Sequence, residues 1–232
     1  MEQNDEVKRT VIIGDIHGCI EPFENLMEQV NPGSNDRLIL LGDLFDRGSE
    51  SWEVFQKVRQ LAGAFGNRFI LLRGNHEDYL LQTNPADSLM SVWNRVGRGD
   101  TVNSFRRHGE EMEDAAPWIR QNARLFFEAP GLQCVHAGVI YENLADNDLN
   151  TLIHDHNIVL KNRYSGKLTI TGHIAVEYPT WFKGNGECEQ LAYHRTYKLP
   201  SSGVICIDTG CGKGGVLTGM IIEDEKFHLL FG

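Results

Sequence analysis

Short apolar runs alternate with amphipathic stretches through the first third of the chain. Thr10 to Ile13, Leu38 to Leu41 and Phe69 to Leu72 are hydrophobic or β-branched throughout, the pattern of strands buried on both faces. Between the first two, Phe23, Leu26, Met27 and Val30 recur at helical spacing, with Pro22 near the start and Asn31-Pro32-Gly33 as the stop. Trp52, Phe55, Val58 and Leu61 mark a second amphipathic helix before the third run. This order predicts two successive β-α-β units with right-handed crossovers.

From Glu77 to Pro130 the pattern is helical and interrupted. Leu89, Val92, Trp93 and Val96 make one apolar face, Val102 and Phe105 another, and Trp118, Ile119, Leu125 and Phe126 a third. The stretch around 77–130 therefore reads as a helical insert beside the sheet. Strand-like runs return at Leu132 to Val135, Leu168 to Thr171, Val204 to Ile207, Val216 to Ile222 and Phe227 to Phe231, with Asn185-Gly186 as a hairpin turn. No long helix separates them, which predicts a largely antiparallel second sheet stacked on the first.

Composition narrows the partners. With 232 residues, 41% of them hydrophobic, the chain can bury a core, and one domain spanning 1–232 is expected. A formal charge of -10 argues against a nucleic-acid partner. No run approaches the ~18 apolar residues of a membrane span, and Met1 to Arg9 lacks the apolar core of a secretory leader. The five cysteines form no C-x-x-C pair, which fits reduced thiols and a cytoplasmic location. Cys134 and Cys206 sit in apolar runs and read as small core residues. Oligomeric state is not legible.

The chemistry lies where strands end: Gly14-Asp15-Ile16-His17-Gly18, Gly42-Asp43-Leu44-Phe45-Asp46-Arg47-Gly48, Gly74-Asn75-His76-Glu77, His136-Ala137-Gly138 and Gly172-His173. In open α/β sheets, ligands collect outside the carboxyl ends of strands. Asp15 and His17 are two apart and fall on one side. Asp43 has two oxygens, enough to bridge cations about 3.5–4 Å apart. Asn75, His136 and His173 add an amide oxygen and two imidazoles. Mixed imidazole and oxygen donors suit manganese, iron, zinc or cobalt better than calcium or magnesium. Against two divalent cations, Asp15, Asp43 and a bridging hydroxide leave a net positive core, which favours a phosphate dianion. His76, next to Asn75, is placed to protonate a departing oxygen, with Asp46 to orient it and raise its pKa. Arg47 and Arg73 can hold phosphate oxygens bidentately.

Together, GDIHG, GDLFDRG, LRGNHE, VHAG and GH resemble the serine/threonine phosphoprotein phosphatases within the calcineurin-like metallophosphoesterases, over about 160 residues from Val11 to His173. The resemblance implies a four-layer α/β/β/α sandwich of two stacked mixed sheets flanked by helices. It implies two divalent metal ions, manganese first, with Asp15 and His17 on one, Asp43 bridging, and Asn75, His136 and His173 on the other. His76 and Asp46 would be the acid pair, and Arg47, Arg73 and Asn75 substrate-binding. Asn162-Arg163 resembles the phosphate-binding arginine segment of phage-type members, which adds Arg163. Ile174 replaces a usual threonine, and the ending Ile207-Asp208-Thr209-Gly210-Cys211 resembles small bacterial members, which include protein phosphatases and symmetrical dinucleoside-tetraphosphate hydrolases. The expected reaction is hydrolysis of phosphomonoesters by in-line attack of a metal-bridging hydroxide. A protein serine/threonine phosphatase is the first choice, and a symmetrical bis(5'-nucleosyl)-tetraphosphatase the alternative. The partner is then a phosphorylated protein or a small phosphoester.

Other polar residues read as structural. His154-Asp155-His156 follows a polar segment and reads as a solvated loop. Glu77 reads as a helix start or an arginine partner, and His108 as a helix cap. Asp208 is either close to the site or a turn former, and Arg106 and Arg107 are surface charge. Trp181 and Phe182 either line a substrate groove or pack on it.

Overall fold

Alternation along the first three strands sorts their side chains into two separate cores. The computed structural model of the chain describes residues 7–82 and 88–232. The polar stretch 1–6 and residues 83–87 of the expected insert lie outside the described residues. The first half runs β1 (Thr10–Ile13), α1 (Ile20–Val30), β2 (Arg37–Leu40), α2 (Ser51–Phe65) and β3 (Phe69–Leu72). Helices α3 (Asn75–Gln82), α4 (Ser88–Arg95), α5 (Arg98–Arg107) and α6 (Ala116–Asn122) follow. Then come β4 (Ala123–Arg124), β5 (Phe126–Ala129), β6 (Leu132–Val135), α7 (Leu149–His154) and α8 (Asn157–Leu160). The remainder is β7 (Thr169–Thr171), β8 (Thr180–Phe182), β9 (Cys188–Gln190), β10 (Thr196–Lys198), β11 (Val204–Cys206), β12 (Thr218–Glu223) and β13 (Lys226–Phe231).

Seven strands form one sheet in the order β10-β13-β12-β1-β2-β3-β4, and six form the other, β5-β6-β7-β11-β8-β9. Val11, Ile13, Leu38, Leu40, Phe69 and Leu71 face α1, α2 and the helices after β3. Ile12, Ile39, Ile70 and Leu72 face the second sheet, meeting Cys134, Ile170 and Ile205. The second sheet's outer face, through Val135, Val204 and Cys206, packs on Leu152, Ile153, Ile158 and Val159 of α7 and α8. Three apolar layers thus separate helices, sheet, sheet and helices, and the fold is the expected α/β sandwich.

The second sheet departs from the local reading. β6-β7 and β7-β11 are parallel, while β5-β6, β11-β8 and β8-β9 are antiparallel. β12 and β13 join the first sheet instead, β12 running antiparallel to β1 with Val11 opposite Ile221. Sequence pattern fixes a strand's faces but not its distant partner. Leu125 and Phe126 belong to the β4–β5 region rather than to a helical face. The hairpin at Asn185-Gly186 joins β8 to β9, closed by the Lys183 N–H donating to the Glu187 carbonyl at 3.0 Å. No helix among the described residues is long and apolar enough to cross a membrane.

Candidate metal centre

The carboxyl ends of β1, β2, β3, β6 and β7 open onto one edge, and the turns there are held in strained conformations. His17, Asp43, Asp46, Arg47 and His173 all have positive φ, between 48° and 71°, a region costly for residues with a Cβ. Two glycines admit the carboxylates. A Cβ on Gly74 would strike the Asp43 carboxylate, and one on Gly172 would strike Asp15 Oδ1. The Ile16 and His17 N–H groups donate to the Asp43 carbonyl at 3.1 and 2.8 Å, which ties the first two turns together.

Glu77 ties in the third. It is fully buried, and its carboxylate accepts from the backbone N–H groups of Asp43, Leu44 and Gly74 at 2.8, 2.8 and 2.9 Å. Glu77 lies in the first turn of α3, one of the two expected readings, and its partners are main chain rather than an arginine. Burial and the Asp43 charge push its carboxyl up to about 7, against those three bonds.

Asp15, His17, Asp43, Asn75, His136 and His173 meet in this space. His17 Nε2 is 3.5 Å from Asp43 Oδ2, and His136 Nε2 is 3.4 Å from Asp43 Oδ1. Asn75 Oδ1 lies 3.1 Å from His136 Nε2 and 2.9 Å from His173 Nδ1. The His173 N–H donates to Asp15 Oδ2 at 3.0 Å. Two groups could each hold a metal ion, His17-Asp43-His76 and Asp43-His136-His173.

Donor chemistry fits cations here. His17 Nδ1 and His136 Nδ1 each lie 2.8 Å from a carbonyl oxygen, of Phe45 and Leu41. A carbonyl only accepts, so each Nδ1 carries the proton and each Nε2 presents a lone pair. The His136 lone pair faces carboxylate and amide oxygens, acceptor against acceptor, the arrangement a positive ion resolves, while that of His17 lies near Asp43 Oδ2 and accepts from Arg47. Asp15 Oδ1, His173 Nε2 and Asp208 Oδ2 are buried without a hydrogen-bond partner. Burial and the nearby Asp208 and Asp43 charges push the Asp15 carboxyl well up. Burial pushes His17 well down and His173 down to about 3, keeping both rings neutral.

His76 is oriented from behind. Its Nδ1 donates to Asp46 Oδ2 at 2.6 Å, and its Nε2 faces Asp43 Oδ2 at 3.8 Å. Burial lowers its pKa, but Asp43 and the Asp46 hydrogen bond outweigh that and raise it. The helices after β3 complete the dyad. Trp93 Nε1 donates to Asp46 Oδ2 at 2.7 Å, and Thr101 Oγ1 donates to Asp46 Oδ1 at 2.6 Å. Sequence reasoning missed both: Trp93 falls within an apolar stripe, and Thr101 carries no motif.

Arg47 reaches the centre, donating to His17 Nε2 and lying 3.5 Å from His76 Nε2. Arg73 pairs with Asp78 at the start of α3. Arg163 is exposed and makes no hydrogen bond or ion pair among the described residues. His154-Asp155-His156, expected to be a solvated loop, instead lies against the centre, with the His156 ring 4.8 Å from that of His173. The signal is that α7 ends beside His136. Asp208 is buried beside Asp15. His108 ends α5, stacks on Trp52 at 3.7 Å and bonds to Glu53. Arg106 and Arg107 stay at the surface.

Imidazole and oxygen donors at the strand ends of a double sheet define a metal-dependent hydrolase of phosphate esters. The chain belongs to the calcineurin-like phosphoesterase family, whose sequence pattern matches residues 8–205. A symmetrical bis(5'-nucleosyl)-tetraphosphatase from Marinomonas sp. (strain MWYL1) is 24% identical over 271 residues, covering 94% of each chain. One from Pseudomonas putida (strain GB-1) is 26% identical, covering 94% of this chain and 91% of its own. Among solved structures, a metallophosphoesterase from Sphaerobacter thermophilus aligns with a TM-score of 0.61 at 16% identity, covering 97% of this chain and 88% of that one.

Proposed function

We propose that the protein hydrolyses dinucleoside tetraphosphates symmetrically, cutting diadenosine tetraphosphate into two ADP. The observation that carries this is end-to-end similarity to proteins of that name, covering 94% of this chain and 94% and 91% of theirs. Sequence motifs alone put a protein serine/threonine phosphatase first, and the similarities reverse that order. A phosphoprotein substrate has no support beyond the shared motifs.

In this reading Asp15, His17 and Asp43 hold one divalent cation, and Asp43, Asn75, His136 and His173 hold a second, manganese being the first choice of metal. Such a pair supplies water activation and charge neutralisation at a phosphoryl group. Arg47 adds guanidinium donors on the His17 side, where they can accept the charge that develops on phosphoryl oxygens. His76 holds a proton at Nε2 for the departing oxygen, because Nδ1 is committed to Asp46. Asp46 stabilises the charged ring, and Trp93 and Thr101 fix the Asp46 carboxylate so that it cannot rotate away. Arg73 pairs with Asp78 at the start of α3 and keeps its substrate role on the motif resemblance. Arg163 keeps a substrate role on the motif resemblance alone.

Product analysis tests the proposal. Manganese-loaded protein incubated with diadenosine tetraphosphate should yield ADP as the sole nucleotide product, at a kcat/KM well above that for a phosphoserine peptide. AMP with ATP, or a preference for the peptide, would overturn it.

A further inference from the structure

The His154-Asp155-His156 turn has no part in the machinery described so far, yet it forms one wall of the centre. It is built onto the His136 segment: the Ala137 N–H donates to the Leu152 carbonyl at 2.8 Å and the Gly138 N–H to the Thr151 carbonyl at 3.2 Å. A Cβ on Gly138 would lie 2.8 Å from the Asp155 Cβ, so the two segments touch. The Asp155 carboxylate accepts from the Asn157 and Ile158 N–H groups at 3.0 and 3.1 Å, which locks the turn into α8. The rings lie along His173. The centroid of His156 is 4.8 Å from it at 42°, and that of His154 is 6.3 Å away, with Tyr79 on its other side at 5.9 Å. His156 is exposed, and its ring nitrogens hydrogen-bond to nothing among the described residues.

A tetraphosphate brings anionic groups on both sides of the bond that is cut, and only one phosphoryl can sit between the cations. The neighbouring phosphates need donors of their own on a protein whose net charge is -10. On the His17 side Arg47 supplies them. Arg73 is paired with Asp78 through one of its guanidinium nitrogens. Beside His173, His156 is an exposed, unpaired donor held in place by a capped turn.

We propose that His156 is a substrate-contact residue that donates a ring N–H to the phosphate adjoining the reacting phosphoryl group on the His173 side. A neutral imidazole carries one N–H and a charged one two, so the contact forms in either state. The turn pre-organises the ring, so little ordering is left for the moment of binding. The assignment rests on the tetraphosphate reading above.

The test compares His156→Ala and His156→Gln with wild type, all manganese-loaded, on diadenosine tetraphosphate and on p-nitrophenyl phosphate, which has no adjoining phosphate. A donor to a charged oxygen is worth about 10–100-fold in affinity. For His156→Ala the ratio of kcat/KM values, dinucleotide over p-nitrophenyl phosphate, should fall at least tenfold. The loss should lie mainly in KM, with metal content unchanged. His156→Gln, which keeps an N–H donor, should recover part of it. An unchanged ratio, whether both activities fall together or neither falls, would overturn the role of His156 alone. Wild-type protein that hydrolyses p-nitrophenyl phosphate but not the dinucleotide would overturn the tetraphosphate reading, and this assignment with it.

Discussion

Replacing Asp46 with asparagine removes a charge while keeping the hydrogen bonds from His76 and Trp93. Asp46 Oδ2 accepts from His76 Nδ1 and Trp93 Nε1, a position the asparagine oxygen can take. The new amide nitrogen then faces Thr101 Oγ1, which already accepts from the Asp46 N–H at 2.8 Å and has a second lone pair. The Thr101 hydroxyl proton can turn to Ser51 Oγ, 3.1 Å away. What disappears is the carboxylate 2.6 Å from His76. An opposite charge at such range raises a pKa by about 1–3 units, so Asp46→Asn should lower the charged fraction of His76 by about 10–10³-fold at a pH above the wild-type pKa. The assay is steady-state hydrolysis of phenyl phosphate and p-nitrophenyl phosphate at one pH, with metal content measured alongside. Phenyl phosphate, whose departing oxygen needs a proton, should lose kcat by about that factor. p-Nitrophenyl phosphate, with its better leaving group, should lose far less. Equal losses on the two substrates with metal retained would refute the assignment of His76 as the acid and Asp46 as its support.

Two further outcomes concern the frame. Glu77→Gln places an amide NH2 against one of the backbone N–H groups of Asp43, Leu44 and Gly74. A buried donor left unpaired costs about 1–3 kcal/mol, so Tm should fall by roughly 2–12 °C in a calorimetric scan. An unchanged Tm would show that the three bonds do not hold the turns. Asp36 pairs with Arg9 at 2.5 Å and accepts from the Gly33 N–H at 2.8 Å. Burial opposes this, but the Arg9 hydrogen bond and charge keep its carboxyl below the ordinary range. A depressed pKa stabilises the fold above the unfolded value of about 4, and that contribution is lost as pH falls through the folded one. Asp36→Asn should therefore have a lower urea midpoint than wild type at pH 7, with the gap closing on acidification. A gap that persists at low pH would assign the loss to packing.

Much of this arrangement is legible in sequence because two signals are local. Burial of β1 to β3 on both faces reads as apolar runs, and the helical spacing of Phe23, Leu26, Met27 and Val30 is the buried face of α1. Motifs at strand ends identify Asp15, His17, Asp43, Asn75, His136 and His173, since glycine-flanked polar residues after apolar runs have few structural uses. What stays hidden depends on distant contacts. Trp93 looks like one more apolar stripe residue until its indole N–H is found on Asp46, 47 positions earlier. Glu77 solvates backbone N–H groups of another turn, a partner with no side-chain signature. β12 completes the first sheet through pairing with β1 across the whole chain, and nothing in its own alternation reports that. His154 and His156 read as solvated because their neighbours in sequence are polar. Their neighbour in space is His173.

In the proposed centre Asp43 is shared by two cations. Metal analysis of manganese-saturated, desalted protein tests it most directly, with wild type beside Asp43→Ala. Sharing requires two manganese ions per wild-type chain and the loss of both in the variant. One ion per wild-type chain, or a variant that keeps one tightly bound, would contradict it.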